Sequence, residues 1–258
     1  MYLPTKRSVI GATRCFSALR GSAVYDRLKP GPLKRLYKYY TPTAINLAGG
    51  VPMDSIFPIE KVKVSVTGSI DFELTRPTEL MLNYHRGDGI PKLSAWIKSH
   101  LTDVHGRNDS ASCVTIGSTD AFSKILLLLN GDTVMFDQYA YGAAVSSVTA
   151  LGRNGVGVQM DEHGMIPSDL KVQTLAARAK GLNPDIVYLV PVAQNPTGTT
   201  MSELRKKEIY EVCRELDLVI VEDGTSLLLY KSNFIFYLVL WLVRYFSYRC
   251  LLLHSFWN

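Results

Sequence analysis

Asn195 and Asp223 are polar residues that close predicted strands. Asn195 follows an apolar run over residues 187–190, and Asp223 ends a second run over residues 218–223. Between them, residues 201–216 predict a helix, because their apolar side chains recur at helical spacing (Ile209, Val212, Cys213 and Leu216). Strand, turn, helix and strand make one right-handed βαβ unit. Because ligands bind at the carboxyl ends of parallel strands, both residues are candidate ligand-binding groups.

A Gly-Ser-Thr segment at residues 117–119 suggests an anion site. It lies between an apolar run over 113–116, predicted to be a strand, and a helix predicted over 121–129. Free N–H groups and the helix dipole favour an anion at such a junction, next to Ser118 and Thr119. Helix capping by Ser or Thr would explain the same residues, so both interpretations stay open here.

Predicted strands and helices alternate around these residues. Strands are predicted over 133–137 and 155–160, and helices over 91–101 and 167–179. Tyr141 opens a further helix after the first of these strands, where an aromatic ring could stack on a planar ligand. Thr200 and Glu203 form a capping-box pattern at the start of the 201–216 helix. The predicted fold class is α/β with a mostly parallel sheet.

Composition argues against several classes of partner. The chain has 258 residues, 47% of them hydrophobic, and a formal net charge of +5. Four of those positive charges lie in residues 1–25, which contain no acid, so the remainder carries only +1. We therefore expect no nucleic-acid partner. The four cysteines lack metal-ligand or CxxC spacing and the histidines are not clustered, so no metal site is predicted.

Residues 1–23 are basic, free of acids and contain three serines. This composition is typical of a mitochondrial transit peptide, and the segment lacks the long apolar core of a secretory signal. The alternative is a disordered basic arm. The first interpretation predicts a mitochondrial matrix protein, and the second leaves a cytoplasmic one.

Gln194-Asn195-Pro196-Thr197-Gly198, followed one helix later by Val221-Glu222-Asp223, resembles the class I/II aminotransferases. These are fold type I enzymes of pyridoxal 5′-phosphate (PLP). The aromatic and 2-aminoadipate (kynurenine) aminotransferases are the most similar subgroup, and the matching segments span about residues 46–223. The resemblance implies a partial PLP-binding large domain over 91–223, preceded by an arm and part of the small domain over 24–90.

The resemblance also implies a role for each candidate cofactor-binding residue. Asp223 would pair with the protonated pyridine nitrogen of PLP, and Asn195 would hydrogen-bond the 3′ oxygen. Ser118 and Thr119 would bind the phosphate, and Tyr141 would stack on the ring. Thr119 stands where relatives often carry Gln, and Tyr139 stands where proline is usual.

Two further segments match the substrate-binding parts of the family. Residues 46–52 include Gly50, whose backbone would meet the substrate carboxylate. Tyr84 matches a tyrosine that reaches the active site, often across a dimer interface. The implied activity is amino transfer from an aromatic amino acid, kynurenine or 2-aminoadipate to a 2-oxo acid such as 2-oxoglutarate, and the implied full-length protein is a homodimer.

No residue matches the catalytic lysine of the family, which forms a Schiff base with PLP. It belongs to a Ser-x-Ser-Lys segment after the aspartate, yet Lys231 comes too soon and Lys124 precedes Asp223. The family's C-terminal arginine is also unmatched, and Ser226 stands where a tyrosine is expected. We therefore expect this aminotransferase chain to be inactive. The alternative is a non-catalytic fragment that binds PLP weakly or binds only a partner chain.

Residues 224–258 form a hydrophobic tail without a βα pattern. We interpret the tail as translated non-coding sequence, such as a retained intron. The alternative is a membrane anchor, but the apolar run over 234–243 is shorter than the ~20 residues that a spanning helix needs. Synthases and decarboxylating relatives share the Asn and Asp signatures and remain a further functional alternative.

Overall fold

The structure is a computed structural model. It describes residues 21–29, 31–36, 50–68, 70–75, 82–85, 87–105 and 111–224, single residues between 39 and 47, and the strand residues 242–243 and 250–253. These residues fall into two compact units: a smaller one over Leu28–Leu93, and a larger one formed by the rest of the chain. Residues 1–20 of the predicted transit segment lie outside the residues that the structure describes.

The helices and strands are as follows. The helices are α1 Ala23–Arg27, α2 Pro32–Leu36, α3 Pro91–His105, α4 Ser118–Leu128, α5 Gly142–Ala150, α6 Pro167–Ala179 and α7 Glu203–Leu216, with a 3-10 turn at Asp54–Ile56. The strands are β1 Lys61–Val64, β2 Phe72–Thr75, β3 Ala111–Ser112, β4 Thr133–Asp137, β5 Asn154–Val158, β6 Met160–Asp161, β7 Gly164–Met165, β8 Pro184–Leu189, β9 Val219–Asp223, β10 Leu242–Val243 and β11 Cys250–Leu253.

A five-stranded parallel sheet organises the larger unit, in the order β11-β9-β8-β4-β5. Every residue of β4 is buried, as expected for a parallel strand covered on both faces. Val134 and Phe136 belong to one core cluster, with α4 and α5, whereas Met135 belongs to a second cluster, with α6 and α7. The alternation of side chains along the strand thus divides the core into two layers. The predicted α/β class with a parallel sheet is confirmed.

The polar turn before α7 differs from the prediction. The helix begins at Glu203 and is capped by Ser202, whose Oγ accepts a hydrogen bond from the Arg205 N–H at 3.2 Å. Thr200, the predicted cap, instead accepts a hydrogen bond from the Ala193 N–H at 3.0 Å. The predicted capping box is therefore wrong, because Thr200 is engaged in closing the preceding turn.

The segment before α4 also differs. Residues 113–116 were expected to form a strand, but the strand assignment stops at Ser112 and Ile116 is 87% exposed. A short apolar run becomes a strand only where a neighbouring chain offers backbone hydrogen bonds. Here β3 pairs with β10, and α4 already begins at Ser118. The predicted strand is therefore wrong, and the helix starts earlier than expected.

The hydrophobic tail contributes two short strands that its sequence pattern did not predict. β10 pairs with β3, and β11 adds to the sheet edge in parallel with β9. Ser226, Lys231 and most of the 234–243 run lie outside the described residues. Within the described part of the chain, no helix is both long and apolar enough to cross a membrane.

Candidate functional site

Asp223 is the last residue of β9 and is buried, with 6% of its surface exposed. The hydroxyl of Tyr188, on the neighbouring strand β8, donates a hydrogen bond to Asp223 Oδ2 at 2.7 Å. This contact follows from the register, which sets Tyr188 opposite Val221. A carboxylate therefore stands at the carboxyl end of the sheet with an adjacent strand supporting it, as predicted from the βαβ pattern.

The Tyr188 side chain is enclosed by aromatic residues. Its ring centroid lies 4.8 Å from that of Phe122 on α4 and 5.5 Å from that of Phe136 on β4. Burial raises the pKa of Tyr188 well above 10, and the negative charge of Asp223 raises it further. Tyr188 therefore keeps its proton at physiological pH and acts as a hydrogen-bond donor toward Asp223.

The N-terminus of α4 carries Ser118 and Thr119. Ser118 is half-buried and Thr119 is exposed. Gly117 precedes them at φ 157° and ψ 173°, a conformation that residues with a Cβ rarely adopt. The first helical hydrogen bond runs from the Ala121 N–H to the Gly117 carbonyl at 3.2 Å, so the preceding N–H groups point out of the helix. This geometry suits an anion such as a phosphate.

The first turn of α4 also contains a negative charge. Asp120 lies next to Thr119 and forms an ion pair with Lys124 one turn later. The lysine partly offsets the repulsion that the carboxylate would exert on an anion. Asp120 Oδ2 is buried and has no hydrogen-bond partner among the described residues. The charge balance of the turn is therefore close to neutral, and anion binding rests on the backbone N–H groups and the hydroxyls.

Tyr141 is the residue that precedes α5. It is half-buried and packs against the core cluster that contains Phe122 and Tyr188. Its carbonyl accepts hydrogen bonds from the N–H groups of Ala144 and Val145 at 3.0 and 3.2 Å. The backbone at the helix start thus fixes the tyrosine near the carboxyl end of β4.

Asn195 lies in the turn after β8, and its side chain is exposed. The Asn195–Pro196 peptide bond is cis. The Gln194 N–H donates to the Thr199 carbonyl at 2.8 Å, and the Gly198 N–H donates to the Gln194 carbonyl at 2.6 Å. The turn is therefore closed on itself around the residue that precedes Asn195.

Gln194 and Asp137 are buried polar residues that the sequence analysis did not select. Gln194 Nε2 donates to Asp137 Oδ2 at 3.2 Å and so joins the end of β4 to the turn that carries Asn195. Burial raises the pKa of Asp137 to about 6, and the hydrogen bond from Gln194 opposes this rise. Asp137 closes a predicted strand just as Asp223 does, and this shared position was the available signal.

The two predicted substrate residues belong to the smaller unit. Gly50 has a φ of 58°, in the left-handed region that favours glycine, and Tyr84 is 78% exposed. Asn83 joins the segments that carry them. Its Nδ2 donates to the Pro52 carbonyl at 3.1 Å and to Asp54 Oδ1 at 2.6 Å, while its Oδ1 accepts from the Tyr84 N–H at 2.8 Å.

The residues at the carboxyl end of the sheet offer a coherent set of binding groups. A helix N-terminus suits a phosphate, the Tyr141 ring suits a planar partner, and the buried Asp223 carboxylate suits a cation. PLP combines these three properties, so the donor set fits this cofactor. Within the described residues, no group of three or more His, Cys, Asp or Glu side chains is arranged to hold a metal ion.

Comparison with known proteins identifies a consistent set of relatives, although no family model matches the chain. The chain is 31% identical over 220 residues to an aromatic amino acid aminotransferase of Schizosaccharomyces pombe, covering 75% of this chain and 47% of the relative. It is also 31% identical over 217 residues to the mitochondrial kynurenine/alpha-aminoadipate aminotransferase of Mus musculus, covering 76% and 51%. The chain spans about half the length of these relatives.

This chain is also similar to an aminotransferase of known structure. The aminotransferase Aro8 from Candida albicans superposes with a TM-score of 0.69 at 29% identity, covering 79% of this chain and 48% of that one.

Proposed function

Because this chain belongs to the fold type I aminotransferases, which use PLP, we propose that its full-length form transfers an amino group from an amino acid to a 2-oxo acid. The observation that carries the proposal is the buried Asp223 at the end of β9, supported by Tyr188. A buried carboxylate is stable only with suitable partners, and a protonated pyridine nitrogen is one.

Each side chain has a proposed task. Ser118, Thr119 and the first turn of α4 would hold the phosphate, and Tyr141 would cover one face of the ring. Asn195 would donate to the 3′ oxygen, and Asp223 would hold the proton on the ring nitrogen. PLP held in this way supplies an electron sink for the negative charge that develops at the substrate α-carbon. The chain's own residues bind and orient the ring.

The proposed substrates follow from the relatives. Aromatic amino acids, kynurenine or 2-aminoadipate are the proposed donors, and 2-oxoglutarate is the proposed acceptor. Gly50 and Tyr84 are proposed to contact the substrate. A glutamate-forming assay with each donor tests this on the full-length form. Turnover with at least one of these donors is expected, and turnover only with unrelated amines would contradict the assignment.

A second candidate function is a non-catalytic PLP-binding fragment. It is favoured by the absence of a Ser-x-Ser-Lys segment after Asp223 in this sequence. Borohydride reduction in the presence of PLP, followed by peptide mass mapping, separates the two functions. The fragment should show PLP binding without a single preferred modified lysine. One stoichiometrically modified lysine would favour an enzyme instead.

The transcript tests the origin of the tail. We propose sequencing full-length transcripts across the codons for residues 222–226. A main transcript that joins Asp223 to a family-like continuation with a Ser-x-Ser-Lys segment would make the tail a product of retained non-coding sequence. A transcript that encodes the tail as it stands would contradict this origin.

Location and assembly are proposed on similar grounds. Residues 1–23 are proposed to direct import into the mitochondrial matrix, and a fusion of this segment to a fluorescent reporter should enter mitochondria. The same reporter with Lys6, Arg7, Arg14 and Arg20 changed to Gln should stay in the cytoplasm.

The full-length form is proposed to be a homodimer, which sedimentation would show as twice the chain mass.

A further inference from the structure

We propose that Gln194 is a positioning residue for the cofactor: it fixes the turn that presents Asn195 against the strand end that leads to Tyr141. This inference rests on the proposed function for its ligand, since Tyr141 is proposed to cover one face of the PLP ring and Asn195 to donate to its 3′ oxygen. It assigns a separate task to the residue before Asn195.

The hydrogen bonds of Gln194 run in two directions. Its Nε2 donates to Asp137 Oδ2 at 3.2 Å and to the Tyr139 carbonyl at 2.5 Å. Its Oε1 accepts from the N–H and the hydroxyl of Thr197, at 2.9 and 2.7 Å. One amide thus ties the end of β4 and the segment before α5 to the turn after β8.

Burial strengthens the hydrogen bonds by which Gln194 joins the end of β4 to the turn after β8. Gln194 and Asp137 are each 3% exposed, so water competes little for their hydrogen bonds. Among the described residues, Asp137 Oδ1 has no hydrogen-bond partner, so Asp137 depends on the Gln194 contact at its other oxygen. Removing the amide would take this donor from the buried Asp137 carboxylate and this acceptor from the Thr197 N–H.

The exposed side chain of Asn195 does not anchor the turn by itself. Asn195 is exposed, whereas the residue directly before it is the buried one. A side chain that binds a ligand gains affinity when its backbone is already fixed in the bound geometry. Gln194 supplies that fixation and therefore acts through Asn195, not through direct contact with the ring.

A double-mutant cycle tests the proposal on the whole chain. PLP affinity is measured by absorbance titration for the parent chain and for Gln194→Ala, Asn195→Ala and the double variant. We expect each single change to weaken binding about tenfold and the double variant to lose little more, because both remove one interaction. Independent effects, which multiply to about a hundredfold, or an unchanged affinity of Gln194→Ala would overturn the proposal.

A readout without ligand separates this proposal from the proposed function. Hydrogen exchange of the Thr197 amide, which donates to Gln194 Oε1, should accelerate in Gln194→Ala and stay unchanged in Gln173→Ala. The control also removes a glutamine that donates to an aspartate, Asp169, but within α6. Accelerated exchange in Gln194→Ala, together with a parent chain that fails to bind PLP, would contradict the proposed function but would support the role of Gln194 in fixing the turn. Unchanged exchange in Gln194→Ala would overturn the link whatever the affinity.

Discussion

The Tyr188 hydroxyl lies 2.7 Å from Asp223 Oδ2 and donates to it from the neighbouring strand. The two residues are separated by 35 positions in the sequence, yet they meet at the carboxyl end of the sheet because β8 and β9 pair in parallel. The carboxylate thereby gains a neutral hydrogen-bond donor, whose own ring packs against Phe122 and Phe136. This contact is the structural basis of the first prediction.

Tyr188→Phe should weaken PLP binding and lower the free energy of unfolding by about 1–3 kcal/mol. The substitution keeps the ring contacts and removes one donor from a buried carboxylate. PLP titration and urea unfolding measure the two effects. Tyr210→Phe removes a half-buried tyrosine hydroxyl on α7 and should leave PLP affinity unchanged. An unaltered affinity of Tyr188→Phe would refute the supporting role of its hydroxyl.

Asp137→Asn should flatten the pH dependence of stability. The pKa of Asp137 is raised to about 6 in the folded chain, so as the pH falls this carboxylate takes up a proton in the folded state before it does so in the unfolded state. This group therefore lowers stability above pH 6, and its unfavourable contribution disappears as the pH falls toward 4. Urea unfolding at pH 5 and pH 8 should show a smaller difference for the variant, by on the order of 1–2 kcal/mol.

Asp185→Asn is the matched comparison, because the pKa of Asp185 is also raised to about 6, chiefly by burial. Asp185 accepts from the Gly131 N–H at 2.5 Å, at the opposite end of the strands from Asp137. Asp185→Asn should reduce the pH dependence of stability over the same pH range without changing PLP affinity. Equal pH slopes for the parent chain and both variants would contradict these assignments.

Arg205→Ala should destabilise the chain by about 2 kcal/mol at neutral pH. Arg205 binds both carboxylate oxygens of Asp161 at 2.9 and 2.8 Å and donates to the carbonyls of Gly164 and Met165 at 3.2 and 3.0 Å. It thus fastens the β6–β7 hairpin to α7, and its loss leaves several acceptors without their donor. Urea unfolding at pH 7 measures the change.

The effect of Arg205→Ala should also depend on pH. The hydrogen bond from Arg205 lowers the pKa of Asp161 to about 2, so the stabilisation is complete above pH 4 and is lost as the pH falls through 2. Arg214→Ala is the control, since its pair with Glu211 is exposed on the same helix. A constant difference between parent and Arg205→Ala from pH 7 to pH 2 would contradict the ion pair.

Local sequence signals were sufficient for most elements that carry the site. α6 has the predicted bounds, and β9 begins one residue later than expected. The cap of α7 was mispredicted because Thr200 and Ser202 are both suitable hydroxyls. The choice between them depends on the hydrogen bond from Ala193 to Thr200, which is a property of the folded turn.

The buried partners of the site could not be predicted from local patterns. Gln194 and Asp137 are 57 positions apart, and Tyr188 and Asp223 are 35 apart. Their contacts depend on which strands are neighbours in the sheet, and local periodicity does not encode strand order. The sequence alone predicts that Tyr188, within an apolar strand, is a core residue. The contact of its hydroxyl with Asp223 depends on the pairing of β8 with β9, which the sequence pattern does not show.

The most direct test of the central claim is a titration of this chain with PLP and with pyridoxal, which lacks the phosphate. We predict that PLP binds, that pyridoxal binds at least about tenfold more weakly, and that Asp223→Asn weakens PLP binding to a similar extent. Glu162→Gln, which removes a charge from a side chain that is 86% exposed, should bind PLP like the parent chain. Equal affinity of the parent chain and Asp223→Asn, or no binding of PLP at all, would contradict the assignment of this sheet edge as a cofactor site.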